Sequence, residues 1–315
     1  MGTAAGRPAG PVRRHPVIAA YQQALPLTEL TEVATASDWC RRWTHRTPSW
    51  RRVRDGGFDS RRYSVAPITE TVAKAFVIGH HYTGSYPSAS HRLGLFHDRG
   101  VGLELVGVAV FGTPAGAHVL SATFPELDPS RSSLVCSRFV LTDACPGNSE
   151  SWFLARCHEV LYAHAVRGVL SFADPVPRLD AHGNTVAVGH VGHIYKVTNA
   201  LYTGRTSPRT LRLLRDGTVF HERSVHKVVH QDQGHRYAEE QLIALGAAVP
   251  RAGEDMRAWL ASALEAAGVR RLRHRGNHRW VFILGRNRRE RAEVRLGRPV
   301  LPVTPQQPDA AAYLR

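Results

Sequence analysis

SRFVLTDACPGNSESWFLAR, residues 137–156, packs a strand, a sharp break and a helix start into one short run. The apolar, branched residues of LVCSRFVL (134–141) predict a strand. Pro146 and Gly147 then interrupt any regular element. Asn148 or Ser149 is suited to cap a helix, and Glu150 in the first turn complements the helix dipole. Phe153, Cys157, Val160, Leu161 and His164 recur at helical spacing and give that helix one apolar face. Strand, turn, cap and helix together place free backbone N–H groups at 148–151, a ready receptor for phosphate.

The neighbours on either side extend this unit. ITETVAKAFVIGH (68–80) predicts a helix with Val72 and Phe76 on one face, and HHYTGSYPSAS a loop. RLGLFHD (92–98) and LELVGVAVFG (103–112) predict a strand pair joined by a short glycine turn. Beyond the central helix, VLSFA (169–173) predicts a strand ended by Asp174-Pro175. HIYKVTNALYTG (193–204) predicts a short helix with Tyr195, Asn199 and Tyr202 on one side. The order helix, hairpin, strand, helix, strand, helix predicts an α/β or α+β fold with a mixed central sheet flanked by helices. Further on, 210–217 and 218–229 read as strands, and 236–247 and 254–268 as helices. Next come a basic loop, an apolar strand from Trp280 to Leu284, and a second basic turn. Residues 1–16 are rich in Gly, Pro and Arg and are expected to be disordered, and a helix is expected near 26–45. The resulting division is a basic extension (1–62), a core (63–205), a basic part completing the sheet (206–298), and a tail (299–315).

The 315 residues are 43% hydrophobic and 21% charged, as in globular proteins. No uncharged run approaches the length of a membrane span, and the first residues lack the apolar core of a signal peptide, so a cytoplasmic protein is expected. Four scattered cysteines without a CxxC argue against a zinc ribbon or a disulfide scaffold. The net charge of +15 is segregated. Residues 1–62 carry +6 and residues 270–298 carry +9, while 63–269 balance to zero. A neutral middle with cationic flanks points to a polyanion partner, nucleic acid above all.

Five ordered blocks carry a family resemblance: HHYTGSYP (80–87), LVGVAVFG (105–112), the 137–156 run, SFADP (171–175) and GHIYKVTNALYTG (192–204). Together they resemble the Mom family of bacteriophage DNA-modification proteins, which are related to GNAT acyltransferases. HRGNHRWVFILG (274–285) is similar to the basic ending of such proteins. The order of elements resembles the GNAT fold, in which a strand and the following helix start hold the pyrophosphate arm of acetyl-CoA. The usual glycine-rich signature is replaced here by PGNSESWFLAR. The resemblance implies a methylcarbamoyl-type group placed on the exocyclic amine of adenine in DNA, which protects phage or mobile-element DNA from restriction. It also implies acetyl-CoA as a linked donor, and iron is associated with the family. On this footing Val140, Gly147, Asn148, Ser149, Glu150, Ser151 and Asn199 are expected to bind the coenzyme. His81 and Tyr82 are expected in the active site, and they are also the candidate iron ligands.

Residue chemistry adds roles. Arg138 interrupts an apolar strand and needs a partner, either Glu150 or a phosphate. Asp174, at a strand end where open sheets place ligands, could accept from an adenine amine or act as a base. Tyr195 stands where GNAT enzymes often keep a general acid. Arg270, Arg271, Arg273, Arg275, Arg279, Arg286, Arg288 and Arg289, interleaved with His274, His278 and Trp280, are expected to clamp DNA. The pairs His190/His193 and His226/His230 lack the further ligands that a metal motif needs. Two other functions fit the composition: an N-acetyltransferase for a protein or small-molecule amine, and a non-catalytic nucleic-acid binder. The oligomeric state stays open, a dimer included.

Overall fold

This computed structural model describes residues 39–302 except Ala115, Ala117 and Val188. The expectations for 1–38 and for the tail beyond 302 lie outside the described residues. The first described element corrects an expectation. Where a helix is expected to run to residue 45, β1 (Trp39–Thr44) pairs antiparallel with β2 (Thr47–Arg52). The turn residues His45 and Arg46 both hold positive φ, 49° and 64°. That is the twist a two-residue hairpin needs, normally supplied by Asn-Gly. The backbone N–H of Arg46 donates to the His80 carbonyl at 3.1 Å, which ties the turn to the following helix.

The main sheet follows: β3 (Tyr63–Pro67), α1 (Glu70–His80), β4 (His91–Asp98), β5 (Leu103–Gly112), the short α2 (His118–Ser121), β6 (Ser133–Leu141), α3 (Ser149–Ala163) and β7 (Gly168–Ala173). Then come β8 (Arg178–Leu179), β9 (Thr185–Ala187), α4 (His193–Val197) and β10 (Leu201–Arg205). The C-terminal part adds β11 (Arg209–Leu213), β12 (Val219–Phe220), α5 (Glu222–His230), α6 (His235–Ile243), α7 (Met256–Ala266), β13 (Arg270–His274), β14 (His278–Ile283) and α8 (Arg288–Ala292). The seven-stranded sheet runs β10-β14-β7-β6-β5-β4-β3. Only β6 and β7 pair in parallel. The expected mixed α/β architecture, a central sheet flanked by helices, is what the chain adopts.

Alternation along β5, shifted by a bulge at Val106, explains why both faces are covered. Val106, Ala109 and Phe111 pack with Phe153, Leu154, Cys157 and Leu161 of α3. Val108 and Val110 pack with Ala73 and Val77 of α1 and with Val140. Each fully buried valine contributes about 1.5–3 kcal/mol. A second core joins α5, α6 and α7 through Val228, Leu242, Trp259 and Leu260.

Three further expectations are corrected. Residues 222–230 form helix α5 rather than a strand: Val225, Val228 and Val229 share one apolar face, and that 3–4 spacing prevails over the β preference of valine. The basic stretch 270–274 is a strand paired with β11, not a loop. The helix expected over 193–204 ends at Val197. Asn199 turns the chain at φ 64°, and Tyr202 lies on β10. The expected Tyr195/Asn199/Tyr202 face therefore does not form.

Candidate active site

The parallel strands set up the site. β6 and β7 pair only over Ser133–Cys136 and Gly168–Ser171. Beyond that, β6 continues beside β5 and β7 beside β14, so the two strands part. Asp174 follows the end of β7 at this parting. Its Oδ1 accepts from His274 Nε2 at 2.9 Å and from the Val176 backbone N–H at 3.0 Å, and its Oδ2 accepts from Arg178 at 2.7 Å. His274 is fully buried, and its Nδ1 accepts from the Gly276 N–H at 2.9 Å. That contact fixes the tautomer with hydrogen on Nε2, aimed at Asp174. Burial alone would raise the Asp174 pKa, but the bond from His274 and the Arg178 charge together hold it well below the usual carboxylate range. Asp174 is thus a fixed anion with one acceptor position left on Oδ2, and the role of proton-abstracting base does not suit it.

Asp174 lines a small cavity together with Tyr82, Arg41, Trp43, Arg178 and His190. The cavity holds about 10 Å³, the room of a single water. Two of its walls come from residues to which the sequence reading gave no role in the site. The β1–β2 hairpin delivers Arg41 and Trp43, and the loop after β9 delivers His190. Gly189 makes that loop possible: at φ 69° an added Cβ would stand 2.8 Å from the Pro175 carbonyl oxygen. The only sequence signal for these groups is the HxxH spacing of His190. Burial, with Arg41 next, pulls the His190 pKa down to about 3, so its imidazole is neutral at pH 7.

The structure brings Asp174 and Tyr82 to the cavity and places the other expected active-site residues behind it. Tyr82 packs against Trp43 with ring centroids 5.1 Å apart and the planes tilted by 34°. His81 is buried behind Tyr82, 4.4 Å away between ring centroids. Burial, reinforced by Arg138 and Arg41, keeps His81 neutral. Tyr195 is buried beneath the sheet, where desolvation, then Cys136 and Tyr82, push its phenol pKa well up. Arg138 does not pair with Glu150. It donates to the Ser85 carbonyl at 3.1 Å, the Ser85 hydroxyl at 2.9 Å and the Ser137 carbonyl at 2.7 Å, holding the loop after α1.

The turn before α3 is not open as expected. Glu150 pairs with Arg42, whose Nε also donates to the Cys145 carbonyl at 3.0 Å. Gly147 lies against β2, where an added Cβ would stand 2.9 Å from the Arg52 carbonyl oxygen. Ser149 and Glu150 are buried, and the Ser149 hydroxyl donates to the Pro146 carbonyl at 2.8 Å. Asn148 caps with its backbone in the left-handed region and makes no side-chain cap bond, although it stays exposed. Val140 is buried among α1 and β5 side chains, and the Ser151 hydroxyl donates back to the Asn148 carbonyl. Asn199 is an exposed turn residue. A buried carboxylate at this helix start, under a covering hairpin, does not fit the pyrophosphate of a coenzyme. Nor do the candidate iron ligands fit a metal. His81 Nδ1 is engaged by Thr83 Oγ1 at 2.9 Å, and no group of three or more His, Cys, Asp or Glu converges among the described residues.

The expected DNA clamp divides. Arg271, Arg273, Arg275, Arg288 and Arg289 are exposed. Arg270 donates to the Leu179 carbonyl at 2.8 Å, Arg279 to the Thr203 carbonyl at 3.0 Å, and Arg286 to Glu290 at 3.0 Å. His226 and His230 lie on α5 with ring centroids 4.2 Å apart, and His226 contacts Asp232 at 3.0 Å.

Fold and site define a mixed α/β protein with a polar cleft where two parallel strands part. Residues 62–299 match the Mom protein family, and the chain belongs to that family. Among solved structures it is similar to a tandem GNAT protein from the clavulanic acid biosynthesis pathway, determined without AcCoA. The identity is 10%, 70% of each chain is covered and the TM-score is 0.31. No curated protein sequence matches. Among the described residues, no helix is long and apolar enough to cross a membrane.

Proposed function

We propose that the protein modifies adenine in DNA, placing a methylcarbamoyl-type group on the exocyclic amine. The observation that carries this reading is the fixed Asp174 anion facing an aromatic wall beside Arg41 and Arg178, in a member of the Mom family. Asp174 Oδ2 has one acceptor position for an amine hydrogen, which orients the nitrogen lone pair outward. Tyr82 and Trp43 offer a face on which an extruded base stacks. His190, held neutral on the cavity wall, can hydrogen-bond to the base without taking up its proton. Tyr195, its phenol pKa pushed well up by burial, stays a neutral phenol and lies outside the cavity lining. The cavity admits one water, so a base enters only as the Arg41 and His190 side chains swing aside. Arg271, Arg273, Arg275, Arg288 and Arg289 are free to meet phosphates. An acyl group derived from acetyl-CoA remains part of the reading, but the turn before α3 gives its pyrophosphate no open seat, and the roles above do not depend on it.

The test is mass spectrometry of nucleosides from the DNA of expressing cells. Wild-type protein is expected to yield an adenine derivative heavier by a methylcarbamoyl group, and Asp174→Asn to yield none. Unmodified adenine alongside abundant folded wild-type protein would contradict the reading.

A further inference from the structure

We propose that Arg41, on the β1–β2 hairpin, is a positioning residue that grips a backbone phosphate beside the target adenine. The proposal rests on the cleft being the adenine site. The hairpin spans residues 39–52 and precedes the family match, which begins at 62. Yet its Arg41 and Trp43 form part of the cavity wall beside Asp174 and Tyr82.

Of the two arginines that line the cavity, Arg41 is the one without a carboxylate partner among the described residues. Arg178 is satisfied by Asp174, and Arg138 by Ser85 and Ser137. The Arg41 guanidinium carbon lies 5.2 Å from the Trp43 ring centroid and 5.9 Å from that of Trp50. Its hydrogen bond among the described residues is a 3.3 Å contact to the Gly189 carbonyl. A guanidinium has five N–H donors, and Arg41, half-buried on the cavity wall, keeps most of them open to a ligand. Among the described residues no carboxylate pairs with its charge. The missing partner is therefore an oxyanion, and a planar fork suits phosphate. A nucleotide coenzyme also carries phosphate. The cavity that Arg41 shares with Asp174 and Tyr82 favours the strand that bears the base. The hairpin is a rigid mount: Arg42 is pinned to Glu150, Arg51 donates to the Asp143 carbonyl at 2.9 Å, and the Ser49 hydroxyl donates to the Asp143 carboxylate.

The probe is a labelled oligothymidylate of about twelve nucleotides with one central adenine, titrated against the full-length protein by fluorescence anisotropy at several salt concentrations. Arg41→Gln is expected to weaken binding about tenfold at low salt. It should also lower the slope of log Kd against log salt by about 0.7, one single-strand phosphate contact. Arg41→Lys should keep the slope. Acetyl-CoA binding, titrated separately, should not change in Arg41→Gln. In the unsubstituted protein, a methylphosphonate moved one step at a time along the probe should reveal one sensitive position beside the adenine. This scan needs no variant to fold, and its loss should not add to that of Arg41→Gln. A wild-type slope in folded Arg41→Gln, a flat methylphosphonate profile, or a loss confined to acetyl-CoA overturns the assignment while leaving the cleft as the adenine site. Failure of wild-type protein to bind the probe at any salt overturns both.

Discussion

Two places in this molecule suit an anion on simple grounds, and they have opposite fates. At the start of α3, free N–H groups and a helix dipole are met by the buried Glu150 carboxylate. Arg42 neutralises that carboxylate, and β2 covers the turn. In the cleft, by contrast, Arg41 and Arg178 line one cavity with a single carboxylate, Asp174, whose charge also acts on Arg209. The first site is electrically complete and sealed. The second retains surplus positive charge beside a cavity. A helix start binds phosphate only when nothing in the chain has already filled it. Here a segment outside the family match fills one site and furnishes the other.

That contrast can be broken at its strongest point first. Glu150→Ala leaves Arg42 buried without a counter-ion and should cost about 3–5 kcal/mol in chemical denaturation. The double change Arg42→Met/Glu150→Leu should recover most of it. A single substitution costing under 1 kcal/mol would show that the α3 turn is open to solvent after all.

Asp174→Asn should lower adenine modification at least about 100-fold, or about 2.7 kcal/mol in the barrier. Salt-dependent DNA binding, carried by the arginines, should persist.

Acid should weaken the fold through buried neutral histidines. Burial depresses His158 to about 4 and His190 to about 3. Below the unfolded value of about 6.5 the unfolded chain takes up protons that the folded one refuses, so stability falls with pH until the folded values are reached. Each histidine contributes a loss of about 1.4 kcal/mol per pH unit in that window. Thermal melting from pH 7 to pH 5 should show the decline, and His158→Phe should flatten it. A melting curve independent of pH over that range would contradict the burial of both rings.

The smallest effect belongs to the rim. Arg288→Gln/Arg289→Gln should reduce the salt slope of single-strand binding by about 1.4, two phosphate contacts, without changing the modified product. An unchanged slope would remove α8 from the DNA surface.

Much of the frame was legible in the residues. The Pro146-Gly147 break, the apolar face Phe153, Cys157 and Leu161, and the run of β5 each carry a local period that packing reinforces. Asp174 and Tyr82 were legible from a strand end and a loop beside it. The hairpin was not. Its turn, Thr44-His45-Arg46-Thr47, has no Asn-Gly, and its left-handed residues are held by contacts to α1 that no local pattern shows. The Arg42–Glu150 pair joins residues far apart in the chain, so Glu150 read as a first-turn carboxylate free to serve a ligand. α5 was missed because its valines favour strands and only the partner helices α6 and α7 reward their helical face. Arg41 and His190 gained meaning only when loops distant in sequence met at one cavity.

The most direct test uses a single-stranded oligonucleotide carrying 8-azidoadenine, photocrosslinked to the full-length protein and followed by peptide mapping. Labelled peptides containing Trp43, Tyr82 or His190 are the predicted result, because the base stacks in the cleft. Labelling confined to residues 146–151, or to α5 and α7, would contradict the account.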